Sequence, residues 1–351
     1  MAAPAGSTRA APAKSARARW YDEGMHLLPV ADPNRLAAWH RVEACARRAD
    51  HLALPADPID ERLALLAPDQ PDTGEQTLLR LGLLGGRPVG TVELTLFTKD
   101  NLSSASVNVH VLPDLRRRGL GRELLAAALD ETASLGRSRV FVEAPSPYPS
   151  GAGPADGVLR TAGARPVLTE VRRLLDLTAV TAAPVPDPAA GYRLVQWQGR
   201  LPDEHLEDMA RLLHRMSTDA PLGDMDWEPE NWDGTRVRAK EEASLRRGRQ
   251  KFGTLVVHEA SGQVAGFTAL GISRYLPEVA YQWETIVDRD HRGHGLGFAL
   301  KAHNHRQLGQ DSPVTRWVNT WNARSNTFMV DINERLGFRP VDCWTEWQLD
   351  L

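Results

Sequence analysis

Two periodicities of apolar residues run along the chain and predict alternating strands and helices. Valines at every second position of Ser104–Val111 predict a strand. Apolar residues three and four apart between Leu120 and Leu135 predict an amphipathic helix. The other predicted strands are 25–30, 76–84, 88–97, 139–143, 167–177, 192–197, a hairpin at 251–273, 279–287, 315–320 and 340–350. The other predicted helices are 33–48, 59–66, 154–162, 203–216, 236–247, 296–308 and 325–335.

The order of these elements repeats, which indicates a tandem duplication. Arg116 and Arg292 each open an Arg-x-x-Gly-x-Gly pattern, and they lie 176 residues apart, half of the chain. A second match, Gly-Ala-Arg-Pro-Val against Gly-Phe-Arg-Pro-Val, recurs at a spacing of 174. The stretch between the copies is rich in Pro and Ala, as linkers are. We therefore predict a disordered tail, a first domain, a linker and a second domain, at 1–19, 20–177, 178–190 and 191–351.

Composition and charge exclude several classes of protein. The 351 residues carry a net charge of −3, so nucleic acid is not expected as a partner. No apolar run reaches the ~18 residues of a membrane-spanning helix, and the start of the chain lacks the apolar core of a secretory signal. Two cysteines, Cys45 and Cys343, make neither a disulfide framework nor a metal site. We expect a soluble cytoplasmic protein without a metal. Cys45 is expected near the core, and His303, His305 and Lys301 on the surface of a helix.

The repeated Arg-x-x-Gly-x-Gly segment has the chemistry of an anion-binding loop. In both copies it follows a predicted strand and precedes a predicted helix, whose first backbone N–H groups lack partners and carry partial positive charge. Its glycines allow backbone conformations that are closed to other residues. Such a turn holds phosphate oxygens. The segment is neither a P-loop nor a Gly-x-Gly-x-x-Gly fingerprint.

At these residues the sequence resembles the GNAT superfamily of N-acetyltransferases, in the tandem two-domain plan that mycothiol synthases also have. The motifs are Val111-x-Pro113-x-x-Arg116-x-x-Gly119-x-Gly121, Val287 followed by Arg292-x-x-Gly295-x-Gly297, and Asn322-x-x-x-Asn326-x-x-Met329-x-x-x-Asn333-x-x-Leu336-Gly337-Phe338. The resemblance implies two tandem GNAT-like α/β domains. Each would have a mixed, mostly antiparallel sheet with a splayed central strand flanked by helices. It also implies acetyl-CoA as co-substrate.

The resemblance further implies which residues contact acetyl-CoA. Exposed backbone of the central strand would pair with pantetheine, and loop amides would hold the pyrophosphate. The residues assigned in this way are Thr285, Ile286, Val287, Arg292, Gly293, His294, Gly295, Leu296, Gly297, Asn322 and Asn326 in the second copy and Val109, Val111, Arg116, Arg117, Gly119 and Gly121 in the first. Asn322 has the alternative role of ending a strand, and Ser325 or Asn326 that of capping a helix.

Acetyl transfer to an amine needs a base for the ammonium proton, and Glu284 is the nearest acid on the predicted central strand. Strict alternation would place Tyr281, Trp283 and Thr285 on one face and Glu284 on the other, away from the family's usual base position. A β-bulge would re-aim Glu284. The family's frequent acid, a tyrosine, is replaced by Asn333. Water or Tyr281 would then protonate the leaving thiolate, or the thiolate, a fair leaving group, would need no acid.

The two copies differ, and we expect the second to be catalytic. The first has Ala105, Val107 and Val109 on its expected substrate face and no Asn pair before its last helix. It would bind CoA without turnover or shape the site.

An acidic segment, residues 219–234, lies between two predicted helices of the second copy where the family has its substrate lid. It contains six acids, two tryptophans and no base. Acids and aromatic faces attract cationic amines. We expect Asp224, Asp226 and Trp227, with Trp283, to bind substrate. The alternative is a solvated loop with its tryptophans packed in the core.

The expected function is therefore acetyl transfer from acetyl-CoA to a small-molecule primary amine, by direct attack in a ternary complex. Two alternatives stay open. One is an acyl-CoA-binding sensor or scaffold without turnover. The other is a protein or peptide N-acetyltransferase, since fold alone does not choose the acceptor.

Overall fold

The computed structural model describes residues 24–50, 54–179 and 185–351. The predicted tail and part of the predicted linker lie outside them. Within them every predicted strand and helix is present, with ends shifted by at most four residues. The strands are β1 Met25–Pro29, β2 Glu75–Leu84, β3 Arg87–Phe97, β4 Ser104–Val111, β5 Arg139–Pro147, β6 Arg165–Asp176, β7 Tyr192–Gln198, β8 Arg249–His258, β9 Val264–Ser273, β10 Leu276–Val287, β11 Trp317–Ala323 and β12 Arg339–Asp350. The helices are α1 Pro33–Ala49, α2 Ile59–Leu63, α3 Leu120–Ser134, α4 Asp156–Thr161, α5 Leu206–Asp219, α6 Gly234–Arg246, α7 Leu296–Asp311 and α8 Thr327–Arg335.

The strands form one continuous sheet because each half gives its last strand to the other. The order is β1-β2-β3-β4-β5-β12-β6-β11-β10-β9-β8-β7. Strand β12 therefore lies beside β5 of the first half, and β6 lies beside β11 of the second. Among the described strands only β4–β5 and β10–β11 pair in parallel. The predicted mixed, mostly antiparallel sheet is confirmed.

Both parallel pairs open into a fork. Strand β4 pairs with β5 only from Ser104 to Ser106, and β10 pairs with β11 only from Val279 to Tyr281. Beyond these positions the two strands of each pair separate, so backbone groups of β4 and β10 have no ladder partners on that side. The splayed central strand is confirmed in both halves.

Helices cover both faces of the sheet. Helix α3 packs its Leu124 and Leu125 on Val107 and Val140, and α7 packs Leu308 near Phe338. We call this side the outer face. On the opposite side, the inner face, lie α1 and α2 of the first half and α5 and α6 of the second. None of the helices in the described ranges has the length and apolar character needed to cross a bilayer.

The two cysteines differ in burial. Cys343 is fully buried in β12, whereas Cys45 is exposed, so the expectation of a core position for Cys45 is wrong. The helix α1 turns Trp39 and Val42 inward instead.

A buried ion pair joins the exchanged strands. Arg172 on β6 is 0% exposed, and its Nε donates to both carboxylate oxygens of Asp342 on β12, at 2.9 and 3.1 Å. Its Nη1 donates to Asn319 of β11 at 2.8 Å. One side chain thus links three strands at the junction of the halves.

Replacing Arg172 with Met should lower the free energy of unfolding by about 3–5 kcal/mol, because Asp342 would remain buried without its cation. The double variant Arg172→Met/Asp342→Leu should recover most of the loss. Urea denaturation measures both. A single variant as stable as the wild type would contradict this role.

Candidate active site

A β-bulge in β10 distinguishes the second half from the first. Gln282 pairs with Leu270 of β9, but Thr285 pairs with Thr268, so Trp283 and Glu284 together oppose one residue, Ala269. In the first half, β3 and β4 pair without a shift from Gly90–Val111 to Leu96–Ala105. The bulge lies immediately after the last pair between β10 and β11, at the opening of the fork.

The bulge turns Glu284 toward the inner face. Gln282 and Thr285 both contact Thr268 and lie toward α7, so the two residues between them lie on the other side. The bulge that the sequence analysis considered for Glu284 is therefore present. The expectation that Thr285 shares a face with Tyr281 and Trp283 is wrong, because the extra residue reverses the alternation. A related correction concerns Val107 and Val109, which pack against α3 on the outer face and not on the substrate side.

Aromatic side chains surround the inner side of the fork. The indole of Trp283 covers Gly271, where a Cβ would approach it to 2.2 Å, and lies 5.4 Å from Nζ of Lys251. Tyr281 stacks on Trp321 with ring centroids 6.3 Å apart. Burial raises the pKa of Tyr281 to about 12, so its phenol keeps its proton at neutral pH.

The two glycine loops have the same backbone form. Left-handed residues occur at Gly293 (φ +86°) and Gly295 (φ +69°), and at Arg117 (φ +62°) and Gly119 (φ +91°) in the first half. Among the described residues, the amides of 293–298 and 117–121 donate to no backbone or side-chain acceptor. Nothing lies within 4 Å of a Cβ built on Gly293 or Gly295. Both loops are thus open cradles of N–H donors at a helix start.

The arginines that open the loops already have partners. Nε of Arg292 donates to the Val287 carbonyl at 3.1 Å and its Nη2 to Asp219 at 2.6 Å. Arg116 likewise binds the Val111 carbonyl at 3.1 Å and Asp50 at 2.5 Å. These guanidinium groups fasten the end of each central strand to the end of α5 or α1, so they support the loop through the protein itself.

The asparagines near α8 are also held. Asn326 caps the helix by accepting from the Met329 amide at 3.2 Å, which is the alternative role stated above. Asn322 accepts from Nδ2 of the fully buried Asn333 at 2.5 Å. Asn333, at the position of the family's tyrosine, therefore orients Asn322.

The acidic segment binds the first half. Asp226 accepts from Arg165 at 3.0 Å and from Gln348 at 2.5 Å, and Trp227 packs edge-on against Phe97 and Phe141. Asp224, exposed, is held through its amide. The carboxylate of Asp226 is paired and the indole of Trp227 is packed, which favours the alternative of packed tryptophans over a role in substrate binding.

Ion pairs between the halves lie near Tyr281 on the inner face, beside the space under the fork that we call the cleft. Arg249, at the start of β8, binds Glu61 at 2.5 Å and Asp57 at 3.2 Å, both from the first half. Arg247 binds Asp57 at 3.3 Å. Charged side chains of both halves therefore lie on this side of the cleft.

Lys301 and His305 of α7 are buried, at 1% and 0% exposure, so their expected surface position is wrong. Both point inward beside Phe338. Burial lowers the pKa of Lys301 to about 7.

Three carboxylates lie together where the exchanged strands meet. Glu346 of β12 is directly opposite Glu143 of β5, and Glu170 of β6 is opposite Trp344. Burial, followed by the charge of Glu170, raises the pKa of Glu346 to about 7, and burial with its two neighbours raises that of Glu143. No group of His, Cys, Asp or Glu within the described ranges is arranged to hold a metal ion.

The comparisons with known proteins agree with this geometry. The model of the acetyltransferase (GNAT) family matches residues 37–147 and 217–338. The chain belongs to the GNAT family. Each half carries one match, and family membership makes the protein an acyl-CoA-dependent N-acetyltransferase. Curated proteins give no significant match to the chain.

Solved structures of GNAT proteins are similar over nearly the whole chain. A tandem GNAT protein from the clavulanic acid biosynthesis pathway, solved without AcCoA, is 29% identical, with 93% of this chain and 98% of that one covered and a TM-score of 0.78. A GCN5-related N-acetyltransferase from Sphaerobacter thermophilus is 16% identical, with coverage of 93% and 95% and a TM-score of 0.65. A putative acetyltransferase from Pyrococcus horikoshii is 15% identical, with coverage of 94% and 90% and a TM-score of 0.58. The last two show the fold alone.

Ionisation of Glu346 should make stability fall as pH rises. Its pKa in the folded protein is raised from the ordinary 4.5 to about 7, so the stability that its protonated form gives is fully present below about pH 4.5 and is lost as pH rises through about 7. Glu346→Gln should be more stable than the wild type at pH 8 and similar at about pH 4, in thermal unfolding. The exposed Glu259→Gln serves as control. Parallel pH profiles for wild type and Glu346→Gln would contradict the prediction.

Proposed function

We propose that the second half transfers an acetyl group from acetyl-CoA to a primary amine of a small molecule, by direct attack in a ternary complex. The observation that carries the proposal is the bulge at Trp283 and Glu284, which occurs beside the fork of β10 and β11 and has no counterpart in β4. At the bulge, the unpaired edge of β10, the carboxylate of Glu284 and the indole of Trp283 lie next to one another.

The residues present fit acetyl-CoA. The unpartnered amides of 293–297 suit pyrophosphate, and the unpaired edge of β10 from Thr285 to Val287 suits the amides of pantetheine. Asn322, held by Asn333, faces the same fork from β11. When bound, acetyl-CoA supplies a thioester carbonyl that an amine attacks.

Glu284 takes the role of general base for the ammonium proton of the acceptor. Backbone N–H groups of the splayed part of β10 would stabilise the oxyanion. Tyr281 retains its proton at neutral pH and is the phenol nearest the fork on β10, so it or water supplies the proton for the leaving thiolate.

A small acceptor suits the walls of the cleft better than a polypeptide. The pairs of Arg249 with Glu61 and Asp57 cross from one half to the other beside Tyr281. An extended peptide would need an open groove at this place. Trp283 and Lys251 complete the wall on the second half.

Glu284→Gln should lower kcat for acetyl transfer about 10²–10⁴-fold, because the amide cannot accept the proton. Binding of acetyl-CoA, measured by calorimetry, should be unchanged. Glu278→Gln, an exposed carboxylate on the same strand, is the matched control and should keep full activity. Release of CoA is measured against a panel of amines. If acetyl-CoA binds and no amine or peptide releases CoA, the sensor alternative replaces this proposal.

A bulky side chain in the second glycine loop should prevent cofactor binding. Gly295→Trp should abolish both acetyl-CoA binding and turnover, whereas Gly119→Trp should leave most of the activity. Both glycines have positive φ, so the two variants carry similar backbone strain and differ in the loop they block. Equal loss of activity in the two variants would contradict the assignment of catalysis to the second half.

A further inference from the structure

A row of buried polar side chains lies behind the bulge. Thr268 of β9, Gln282 and Thr285 of β10, and His305 of α7 are each at most 9% exposed. We call these four residues the bulge network. Buried polar groups in a core cost free energy unless they are hydrogen-bonded, so a connected row of them needs a reason.

The bulge network ends on the carbonyl that faces the bulge. Nε2 of Gln282 donates to the Ala269 carbonyl at 2.6 Å and to Oγ1 of Thr268 at 3.1 Å. Thr268 and Thr285 share a hydrogen bond of 2.7 Å. Ala269 is the residue opposite Trp283 and Glu284, so the side-chain amide of Gln282 fills a place in the ladder that the bulge disrupts.

Helix α7 fixes Gln282 from behind. Nε2 of His305 lies 3.2 Å from Oε1 of Gln282. The amide oxygen only accepts, so His305 donates from Nε2 and carries its proton there. Burial and the nearby charge of Lys301 lower the pKa of His305 to about 3, which keeps the ring neutral.

The first half provides an internal comparison. Matching strand registers and loop positions make Val92, Val107, Val109 and Leu129 the counterparts of Thr268, Gln282, Thr285 and His305. Leu125 is the counterpart of Lys301. All five are apolar and pack in one core cluster, and there β3 and β4 pair without a bulge. The polar row and the bulge therefore occur together in one half and are absent together from the other.

We propose that Gln282 and His305 are positioning residues for acetyl transfer: the hydrogen bonds from α7 through Gln282 to the Ala269 carbonyl hold the bulge that turns Glu284 into the cleft. The inference rests on the proposed function, in which Glu284 is the base. It assigns the two residues no contact with substrate.

Gln282→Leu and His305→Leu should each lower kcat about 10–100-fold, since a misplacement of about 1 Å at the reacting groups costs this much. The KM for acetyl-CoA should change less than about threefold. His305→Gln keeps an N–H donor and should retain kcat within about threefold of the wild type. Thr268→Val, which keeps the branched shape of the side chain and removes only its hydroxyl, should also lower kcat and gives a milder test should the leucine variants not fold.

Asn304→Leu is the matched control for a merely structural effect. Asn304 is also on α7 and fully buried, and it bonds to Thr254 and to the Phe252 carbonyl, away from the bulge. It should lower the melting temperature and leave kcat nearly unchanged. An equal loss of kcat in Asn304→Leu and Gln282→Leu would overturn the proposal.

A double variant separates this proposal from the proposed function. In the Glu284→Gln background, Gln282→Leu should cause no further loss of kcat, because the base that it positions is already absent. The same fold loss in both backgrounds would overturn the inference. A crystal structure of Gln282→Leu, or of Thr268→Val, should show the register of β9 and β10 altered at Ala269. A bulge retained in these variants overturns the inference, whatever the activity of Glu284→Gln. An active Glu284→Gln overturns the proposed function.

Discussion

The exchange of terminal strands is the constraint on which the rest of the molecule depends. Because β6 and β12 each complete the sheet of the other half, the two halves share one hydrogen-bond ladder. Arg172, Asp342 and Asn319 fasten that junction by buried polar contacts that lose most of their value if one member is removed. A cleft lined by both halves then has fixed walls. Side-chain contacts between the halves, such as the ion pairs of Arg249 and the packing of Trp227 on Phe97, add to the shared ladder.

The site follows from two local departures from that regular sheet. The forks after Ser106 and Tyr281 expose backbone beside a loop of free amides, and this part of the design is the same in both halves. The bulge after Gln282 is not shared. A fork and loop suffice to receive a cofactor, whereas chemistry also needs a carboxylate directed at the acceptor. The different position of the carboxylate in the two halves is therefore due to one extra residue between Gln282 and Thr285 of β10.

Local patterns in the sequence predict the elements but not their partners. The valines of β4 and the loop from Arg292 to Gly297 predict a strand and an anion cradle because periodicity and glycine geometry act within a few residues. The exchange of β6 and β12 could not be predicted in this way, since either arrangement buries the same faces. The register decides which face of the sheet a side chain lies on: a shift of one residue reverses every side chain, so simple alternation puts Thr285 and Val107 on the wrong face. Polarity alone puts Lys301 and His305 on the surface, and the signal for their burial is that their counterparts in the repeat, Leu125 and Leu129, are apolar.

Because the fold is duplicated, each buried polar residue can be compared with its counterpart in the other half. Where one copy has valine at a core position, valine would also cost less free energy than a polar residue at the same position of the other copy, since both copies bury it in the same way. Gln282 and His305 replace such apolar residues, and Gln282 donates to the Ala269 carbonyl where the strand beside it is bulged. Bulge and network therefore support each other: an apolar pair would leave the Ala269 carbonyl without this donor, and a regular strand would leave Gln282 without this backbone acceptor. In the first half, Asn108 stands alone where Trp283 and Glu284 stand together, and the apolar core behind it favours the regular register.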